Sequence, residues 1–309
     1  MASKPLVWIV ILNWNQQSDT LECVRSLKGI SYKNYRIVIV DNGSNDGSQK
    51  TFRVQLPDVV LLEQKENHGC AGGRNIGAGF ALAEGADYIL FLDNDTIVAV
   101  DFLDRLIEKA ESYPQIGALG PQIRYYDEPQ RIWTAGAQIN WRNGHTYPLY
   151  HKAWAQDVPA DDYEVDFVAG CALLARRAIF EHIGLFDEDY FIYFEETDWC
   201  LRVLKAGYHN MVIPTSIIWH KESLSLGGAS SPPKVYYLVR NQLLFLWKRF
   251  PKYIAIPALF STFMHELLTI FIQTIRPRYR SIKEQRNARF RALADFFSGK
   301  YGRQILKQS

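Results

Sequence analysis

Short apolar runs alternate with amphipathic stretches through the first hundred residues of the chain. Runs at residues 6–12, 35–40, 59–62 and 88–92 are continuous and bounded by polar or turn residues, which is typical of buried strands. The stretch after the first run has a capping-box pattern at residues 19–22 and apolar residues at helical spacing, and further helices are indicated from about residues 48 and 76. This alternation predicts right-handed crossovers and a parallel α/β sheet.

Polar residues follow these four strands at the same end. They are Asn13 and Asn15, then Asp41, Asn42 and Ser44, then residues 67–74, then Asp93, Asn94 and Asp95. Ligands of open α/β sheets bind beyond the carboxyl ends of the strands. The sequence therefore predicts one polar site assembled from four segments.

The Asp-x-Asp at the end of the fourth strand suggests a metal site. Side chains at i and i+2 of an extended chain face the same way, so Asp93 and Asp95 can share one hard cation and hold it against a diphosphate. The alternative is a turn or a helix cap before Phe102.

The glycine-rich segment at residues 69–74 suggests an anion site. Backbone N–H groups exposed near a helix start attract anionic oxygen, and Arg74 offers a forked contact to phosphate. A tight structural turn explains the glycines but not Arg74 and Asn75. The dinucleotide fingerprint and the P-loop are both excluded, because no glycine follows the first strand and no Gly-Lys-Ser/Thr occurs.

Two adjacent acids and one histidine add to the candidate chemistry. Glu195 and Glu196 lie in an aromatic setting, which raises a carboxyl pKa and suits a general base; the alternative is that one caps a helix starting near Asp198. His220 ends an apolar run and could be a third metal ligand or a structural histidine. Two carboxylates, one imidazole and two phosphate oxygens would satisfy Mn²⁺ or Mg²⁺.

The second half of the chain is less regular. A hairpin is indicated between residues 138–141 and 146–148, and a strand at 165–174 is followed by a short helix at 178–183. We expect a helix from about Asp198, ended by Gly207, then a strand at 210–214, and a linker at 227–233.

The C-terminal part has a different character. Residues 254–275 are mostly apolar over about the length of a membrane span, and residues 276–303 carry nine basic and two acidic side chains. An apolar helix beside a basic helix suits the surface of an anionic leaflet. The alternatives are packing on the sheet or a homodimer contact.

Composition narrows the function classes. The 309 residues are 48% hydrophobic, which allows one large domain with an appendage or two small domains; we expect a first domain at 1–228, with halves at about 1–98 and 99–228, and a helical region at 229–309. A net charge of +2 gives no argument for nucleic-acid binding. Four widely spaced cysteines and the lack of a signal-peptide pattern lead us to expect a reducing cytosol.

Six segments together resemble a known family. They are residues 10–15, 40–48, 67–75, 91–95, 170–174 and 194–202, which read VILNWN, VDNGSNDGS, NHGCAGGRN, FLDND, GCALL and FEETDWCLR. In this order they resemble family 2 glycosyltransferases with the GT-A fold, a Rossmann-like, mostly parallel sheet flanked by helices. The style is that of bacterial rhamnosyltransferases and galactofuranosyltransferases of cell-wall and O-antigen assembly.

The resemblance implies a role for each matching residue. Contacts to the nucleotide sugar fall to Asn13, Asn15, Asp41, Asn42, Ser44, Asn67, Gly72, Gly73, Arg74, Asp93 and Asn94. Asp95 and His220 would bind the metal together with Asp93, which would also face the donor sugar. Glu196 would be the catalytic base, and Glu195 is the second candidate for that role. The acceptor pocket would include Gly170, Cys171, Asp198 and Trp199.

The implied activity is inverting transfer of a sugar from a nucleotide sugar, with dTDP-L-rhamnose favoured, to a glycan or lipid-linked saccharide. Mn²⁺ or Mg²⁺ would assist, and the protein would lie on the cytoplasmic face of the inner membrane. UDP-galactofuranose, UDP-glucose, UDP-GlcNAc and GDP-mannose remain alternative donors. A non-catalytic carbohydrate-binding scaffold and a sugar nucleotidyltransferase are the alternative functions.

Overall fold

A computed structural model describes residues 4–222, 231–276 and 282–304. The strands are β1 (Val7–Asn13), β2 (Tyr35–Asp41), β3 (Val60–Glu63), β4 (Tyr88–Asp93), β5 (Thr96–Val98), β6 (Ile116–Tyr125), β7 (Ile132–Thr134), β8 (Ala137–Ile139), β9 (Thr146–Pro148), β10 (Tyr163–Val165), β11 (Ala172–Arg176) and β12 (His209–His220). The helices are α1 (Gln17–Lys28), α2 (Ser48–Gln55), α3 (Gly69–Ala83), α4 (Phe102–Ser112), α5 (Arg177–Ile183), α6 (Glu195–Lys205), α7 (Pro232–Arg249), α8 (Lys252–Ile275) and α9 (Lys283–Phe297).

One mixed sheet runs through the molecule in the order β10-β12-β6-β11-β4-β1-β2-β3, with β5 beside β12 and β7 beside β6. The strands β3, β2, β1 and β4 are parallel, and so are β6 and β12, whereas β11 runs antiparallel to β4 and β6. The predicted strand–helix alternation and parallel pairing of the first half are confirmed. The predicted hairpin is also confirmed, since β8 pairs with β9 in a separate two-stranded sheet.

Both faces of this sheet are buried, which explains why its strands are apolar without alternation. In β1, Trp8 and Val10 join the core on one face, and Val7, Ile9 and Ile11 join the core on the other. α3 lies unusually close to the first face, because a Cβ added to Gly77 would stand 2.3 Å from Val10 Cγ1. Small residues in this helix therefore set its distance from the sheet.

Three predicted helix or strand limits are wrong. α1 begins at Gln17 with no side-chain cap from Gln16, so Asp19 lies within the first turn and not in a capping box. α6 begins at Glu195 and not near Asp198, which puts both glutamates in its first turn. The strand predicted at 165–174 is divided, because Phe167 pairs with Ala137 and leaves the sheet edge before β11 begins.

The last strand is longer than predicted and ends in the candidate site. β12 continues past Pro214 to His220, with an irregularity against β6 between Ile213 and Ile217. This bulge accommodates Pro214, which has no N–H to donate to a neighbouring strand.

The C-terminal region is helical, with α7 packed against both α8 and α9. Ser231 caps α7 by accepting a hydrogen bond from the Lys234 N–H, and residues 227–230 of the predicted linker lie outside the described residues. α8 is long and apolar enough to cross a membrane by length and composition. Its Glu266 is buried and pairs with Arg289 of α9 at 2.6 Å, so this acid does not interrupt the exposed face of α8.

Candidate active site

The ends of β4 and β12 bring three potential metal ligands together. His220 lies opposite Thr96 where β12 pairs with β5, and this places it beside Asp95. One ligand atom from each of Asp93, Asp95 and His220 lies within 4.8 Å of the others. Sequence reasoning predicted all three residues of this cluster.

The donor set fits a divalent cation. His220 Nε2 is 3.1 Å from Asp95 Oδ1, and its Nδ1 is buried without a hydrogen-bond partner among the described residues. Burial lowers the pKa of His220, but the hydrogen bond and charge of Asp95 outweigh it and hold that pKa above its ordinary value. Carboxylate oxygens with one imidazole nitrogen suit Mn²⁺ or Mg²⁺.

Arg74 links this cluster to the glutamate pair. Its Nη2 donates to Asp93 Oδ1 at 2.7 Å and its Nη1 to Glu195 Oε1 at 3.0 Å, and the side chain is almost completely buried. Burial lowers the pKa of Arg74, but the charge of Asp93, followed by those of other acidic groups, raises it above its usual range. In the structure Arg74 therefore bridges two carboxylates and stays charged.

The glycine-rich segment is not the exposed loop that the sequence predicted. α3 begins at Gly69, and two N–H groups in this region already have acceptors: that of Gly69 donates to Asn67 Oδ1 and that of Ala71 to Phe191 O. Gly73 permits close packing, because an added Cβ would stand 2.3 Å from Leu12 Cδ1. Gly72 is crowded as well, by His68.

The glutamate pair opens α6. Glu195 and Glu196 each have a buried Oε2 without a hydrogen-bond partner among the described residues. Burial raises the pKa of both carboxyl groups, and the charge of Glu196 raises that of Glu195 further, while Arg74 opposes the rise in both. Two interacting carboxyls that share one arginine titrate as a pair.

Gly170 and Cys171 border this pair. A Cβ added to Gly170 would lie 2.8 Å from Arg74 Nη1 and 3.3 Å from Glu196 Cδ. Cys171 is buried, and its carbonyl oxygen accepts the Asp93 N–H, which joins β11 to the end of β4. Only glycine at position 170 lets the backbone come this close to both side chains.

The predicted nucleotide-contacting residues at the ends of β1 and β2 form one hydrogen-bonded network. Asn13 Nδ2 donates to Asp41 Oδ2 at 2.7 Å and to Ser44 Oγ at 3.0 Å, and the Asn15 N–H donates to the same Oγ. The side chains of Asn13 and Asp41 have no exposed surface. They organise the strand ends, and their contact with a nucleotide stays a prediction.

Asparagines brace the neighbouring loops in the same way. Asn42 Nδ2 donates to Asn67 Oδ1 and to the Gly69 carbonyl, and Asn94 Nδ2 donates to Thr20 Oγ1. These contacts connect the ends of β2 and β4 to α3 and α1.

Asp198 and Trp199 do not face an open surface. Asp198 is fully buried and accepts hydrogen bonds from Tyr190, Arg202 and Arg249. Trp199 is also fully buried, stacks on Phe180 at 5.0 Å and donates to the Gly184 carbonyl. In this structure both residues support α6 from the interior and not as part of an acceptor pocket.

Sequence reasoning missed Arg240 and Asn241 of α7, which hydrogen-bond to the backbone just before Glu195. Both are completely buried. The available signal was a run of three polar residues, 240–242, inside the otherwise mostly apolar stretch of residues 235–246. Long polar side chains are seldom fully buried without a dedicated partner.

Comparison with known proteins identifies relatives of the chain. The glycosyl transferase family 2 model matches residues 8–184. The dTDP-rhamnosyl transferase RfbF of Shigella flexneri is 25% identical over 288 residues, which cover 88% of this chain and 91% of that protein. The N-acetylglucosaminyl-diphospho-decaprenol L-rhamnosyltransferase of Mycobacterium tuberculosis is 28% identical over 210 residues, which cover 62% of this chain and 68% of that protein.

Two solved structures resemble the whole chain. GalNAc-T7 with UDP, GalNAc and Mn²⁺ matches with a TM-score of 0.64 and 18% identity, over 96% of this chain and 57% of that one. The mannosyltransferase PcManGT from Pyrobaculum calidifontis, in complex with GDP-Man and Mn²⁺, matches with a TM-score of 0.59 and 15% identity, over 97% of this chain and 89% of that one. At these identities the likeness shows the fold alone, and it confirms the predicted GT-A fold.

Proposed function

The chain belongs to glycosyl transferase family 2, and we propose that it transfers L-rhamnose from dTDP-L-rhamnose to a hydroxyl group of a lipid-linked or growing saccharide. That it is a rhamnosyltransferase-like glycosyltransferase follows from the family and the relatives, which sets the scaffold and nucleotidyltransferase alternatives aside. The donor is proposed from two relatives named for rhamnosyl transfer. A UDP-linked donor is the second candidate, since GalNAc-T7 was solved with UDP.

The observation that carries the proposal is the chain of contacts Asp95–His220, Asp93–Arg74 and Arg74–Glu195 at the end of the sheet. It joins a cluster able to hold a cation to a pair of carboxyls with raised pKa values. A sugar transfer from a diphosphate needs both: stabilisation of the leaving group and removal of a proton from the acceptor.

We propose that Asp95 and His220, with Asp93, hold Mn²⁺ or Mg²⁺. When bound, the cation would offset the negative charge of the departing nucleoside diphosphate. Arg74 keeps Asp93 oriented and supplies positive charge close by. The N-terminal end of α3, which begins at Gly69, adds its partial positive charge on the same side of the sheet.

We propose Glu196 as the general base. Glu195 Oε1 accepts a hydrogen bond from Arg74, whereas Glu196 is less deeply buried and lies beside Gly170. Glu196 would take the proton of the acceptor hydroxyl while the hydroxyl oxygen forms a bond to the anomeric carbon. The bond from that carbon to the diphosphate oxygen breaks on the opposite face, and the configuration inverts.

We also propose that the protein binds peripherally to the cytoplasmic surface of a membrane, where a lipid-linked acceptor would be found. α8 exposes Tyr253, Ile256, Phe260, Met264, Leu267 and Phe271, which recur at helical spacing along one face. The basic stretch of residues 276–303 follows directly. An apolar helical face next to cationic groups suits an anionic bilayer better than it suits a second copy of this chain, which would bring the same positive charges.

The test is a panel of nucleotide sugars, measured for binding and slow hydrolysis with Mn²⁺, Mg²⁺ or EDTA. The expected result is metal-dependent selection of dTDP-L-rhamnose over UDP-galactofuranose, UDP-glucose, UDP-GlcNAc and GDP-mannose. Preference for a UDP sugar would change the proposed donor but not the proposed transferase activity. Failure of every sugar nucleotide to bind, with or without metal, would overturn the proposed reaction.

A further inference from the structure

The backbone just before the glutamate pair has an unusual conformation. Phe191, Tyr193 and Phe194 have φ values of 65°, 65° and 74°, and they are three of the seven non-glycine residues with positive φ in the described part of the chain. Bulky L-residues rarely adopt this conformation, which costs about 1–3 kcal/mol at each position. Contacts from the surroundings must therefore hold the segment in place.

The side-chain amide of Asn241 supplies such contacts. Its Nδ2 lies 2.9 Å from the Tyr190 carbonyl oxygen, 2.7 Å from that of Ile192 and 2.9 Å from that of Tyr193. One amide nitrogen with two N–H donors thus faces three carbonyls of the strained segment. Asn241 is completely buried, so water does not replace these bonds.

Arg240 fixes the orientation of that amide. Its Nε and Nη2 donate to Asn241 Oδ1 at 2.9 and 2.8 Å, which leaves the amide nitrogen turned toward the segment. The same guanidinium donates to the carbonyls of Asp189, Tyr190 and Gly302. The two side chains thus act as one unit that donates hydrogen bonds to backbone carbonyls.

The segment they hold determines where the glutamates lie. Phe194, in the left-handed region, is the residue from which α6 starts at Glu195. On the other side, the Phe191 carbonyl accepts the Ala71 N–H, three residues before Arg74 in α3. A shift of the segment would therefore move Glu195 and Glu196 relative to Arg74.

We propose that Asn241 is a positioning residue for the catalytic base: its amide, oriented by Arg240, fixes residues 190–194 and through them the placement of Glu195 and Glu196. The inference rests on the function proposed for this site. Asn241 touches neither glutamate and acts only through the backbone. α7 of the C-terminal helical region is then part of the catalytic unit.

Asn241→Asp is the sharpest variant, because it keeps the shape and the acceptor for Arg240 but has no N–H donors when ionised. We expect kcat to fall by about 10- to 100-fold, as a displacement of about 1 Å at a reacting group can cost that much. Affinity for dTDP in the presence of Mn²⁺, measured by calorimetry, should stay within about threefold, because most of the proposed nucleotide contacts lie at or just after the ends of β1, β2 and β4. If the substitution only destabilised the fold, kcat and the apparent affinity for dTDP would both decrease with the fraction of folded protein.

Leu246→Ala is the matched control. Leu246 is equally buried in α7 but packs against Gly144 of the hairpin loop. It should lower the melting temperature and leave kcat unchanged. If Asn241→Asp does not fold, Arg240→Lys replaces it, since lysine keeps the charge but loses the fork that orients the amide.

Hydrogen exchange separates this proposal from the transfer reaction itself. In Asn241→Asp, amides of residues 190–198 should exchange faster than in the unsubstituted protein, with β1 unchanged. A variant with unaltered kcat would overturn the positioning role. If the unsubstituted protein transfers no sugar at all, the proposed function fails, and unaltered exchange at 190–198 would then overturn the positioning role independently.

Discussion

The chemistry of individual residues depends on one arginine shared by three acids. Arg74 contacts Asp93 and Glu195 directly, and Glu196 lies beside Gly170, which itself abuts Arg74. Burial raises the pKa of both glutamates, and the one arginine that they share with Asp93 opposes this rise without cancelling it. Sequence reasoning identified Asp93 because it follows an apolar strand, and Glu195 and Glu196 because two adjacent acids stand in an aromatic setting. It could not assign the partner of Arg74, because residues 74 and 195 meet only in the folded chain.

Substituting each glutamate separately distinguishes the general base from the residue that only pairs with Arg74. Glu196→Gln should lower kcat by about 10²- to 10⁴-fold, the usual contribution of a general base, with donor affinity little changed. Glu195→Gln should cost less, because it removes a partner of Arg74 and leaves the base. Initial rates with saturating donor and acceptor measure this. Near-normal transfer by Glu196→Gln together with inactivity of Glu195→Gln would reverse the assignment.

The pH dependence of transfer follows from the raised pKa values. A protonated glutamate cannot accept a proton, so kcat should fall as the pH drops through the apparent pKa of the pair, and its midpoint should lie above about 4.3, the ordinary value for glutamate. Glu195→Gln removes one like charge and leaves Arg74 to Glu196, so the midpoint should move to lower pH. Rates from pH 4.5 to 9 measure both. Rates of the unsubstituted protein that do not reach half their maximum anywhere down to pH 4.5 would contradict burial of the pair.

The same shift has an opposite consequence for stability. A carboxyl with a raised pKa binds more protons in the folded than in the unfolded protein. The stability this contributes is therefore full below the ordinary pKa and is lost as the pH rises through the raised one.

At the scale of elements, the sequence predicts the strands and helices better than their ends. Four continuous apolar runs indicated β1 to β4 because a sheet covered on both faces needs apolar residues at every position. The start of α6 was missed because Phe194, an aromatic residue in the left-handed region, gives no capping signal. The division of the strand predicted at 165–174 was missed because it depends on pairing of Phe167 with Ala137, far away in sequence.

The close approach of α3 to the sheet can be tested with two glycines of the same helix. Gly77→Ala would place a Cβ 2.3 Å from Val10 Cγ1, so we expect a loss of about 1–3 kcal/mol in the free energy of unfolding. Gly79→Ala, which meets nothing within 4 Å, should stabilise by about 0.5–1 kcal/mol. Urea unfolding measures both. Equal effects would mean that α3 does not pack on β1 as described.

At the scale of the whole molecule, the fold class was readable from the alternation of elements, and the converging strand ends gave the position of the site. The sequence did not predict that helix α7 of the C-terminal region contacts the segment just before Glu195. The contacts of Arg240 and Asn241 with residues 189–193 join segments about fifty residues apart, and no local pattern encodes such a pairing. The apolar character of α8 was visible in the sequence, but which of its faces is free was not.

That free face gives the last prediction. Phe260 and Phe271 are 65% and 59% exposed on one side of α8, while Glu266 turns inward to Arg289. Phe260→Asp with Phe271→Asp should lower binding to vesicles of anionic phospholipid at least tenfold, because each buried phenylalanine contributes about 1.5–3 kcal/mol. Flotation measures this. Val54→Asp, at a site on α2 that is 73% exposed, is the control and should bind as before.

Membrane binding and dimer formation make different predictions for the same variant. If the face binds lipid, the unsubstituted protein floats with anionic vesicles, less so with zwitterionic vesicles and at high salt, because cationic side chains share in the attraction. Slow donor hydrolysis should survive the two substitutions, since α8 carries no proposed site residue. If instead the unsubstituted protein ignores vesicles and sediments as a dimer that the substitutions dissociate, the face joins two copies of the chain. The acceptor would then have to reach Glu196 without help from a membrane surface.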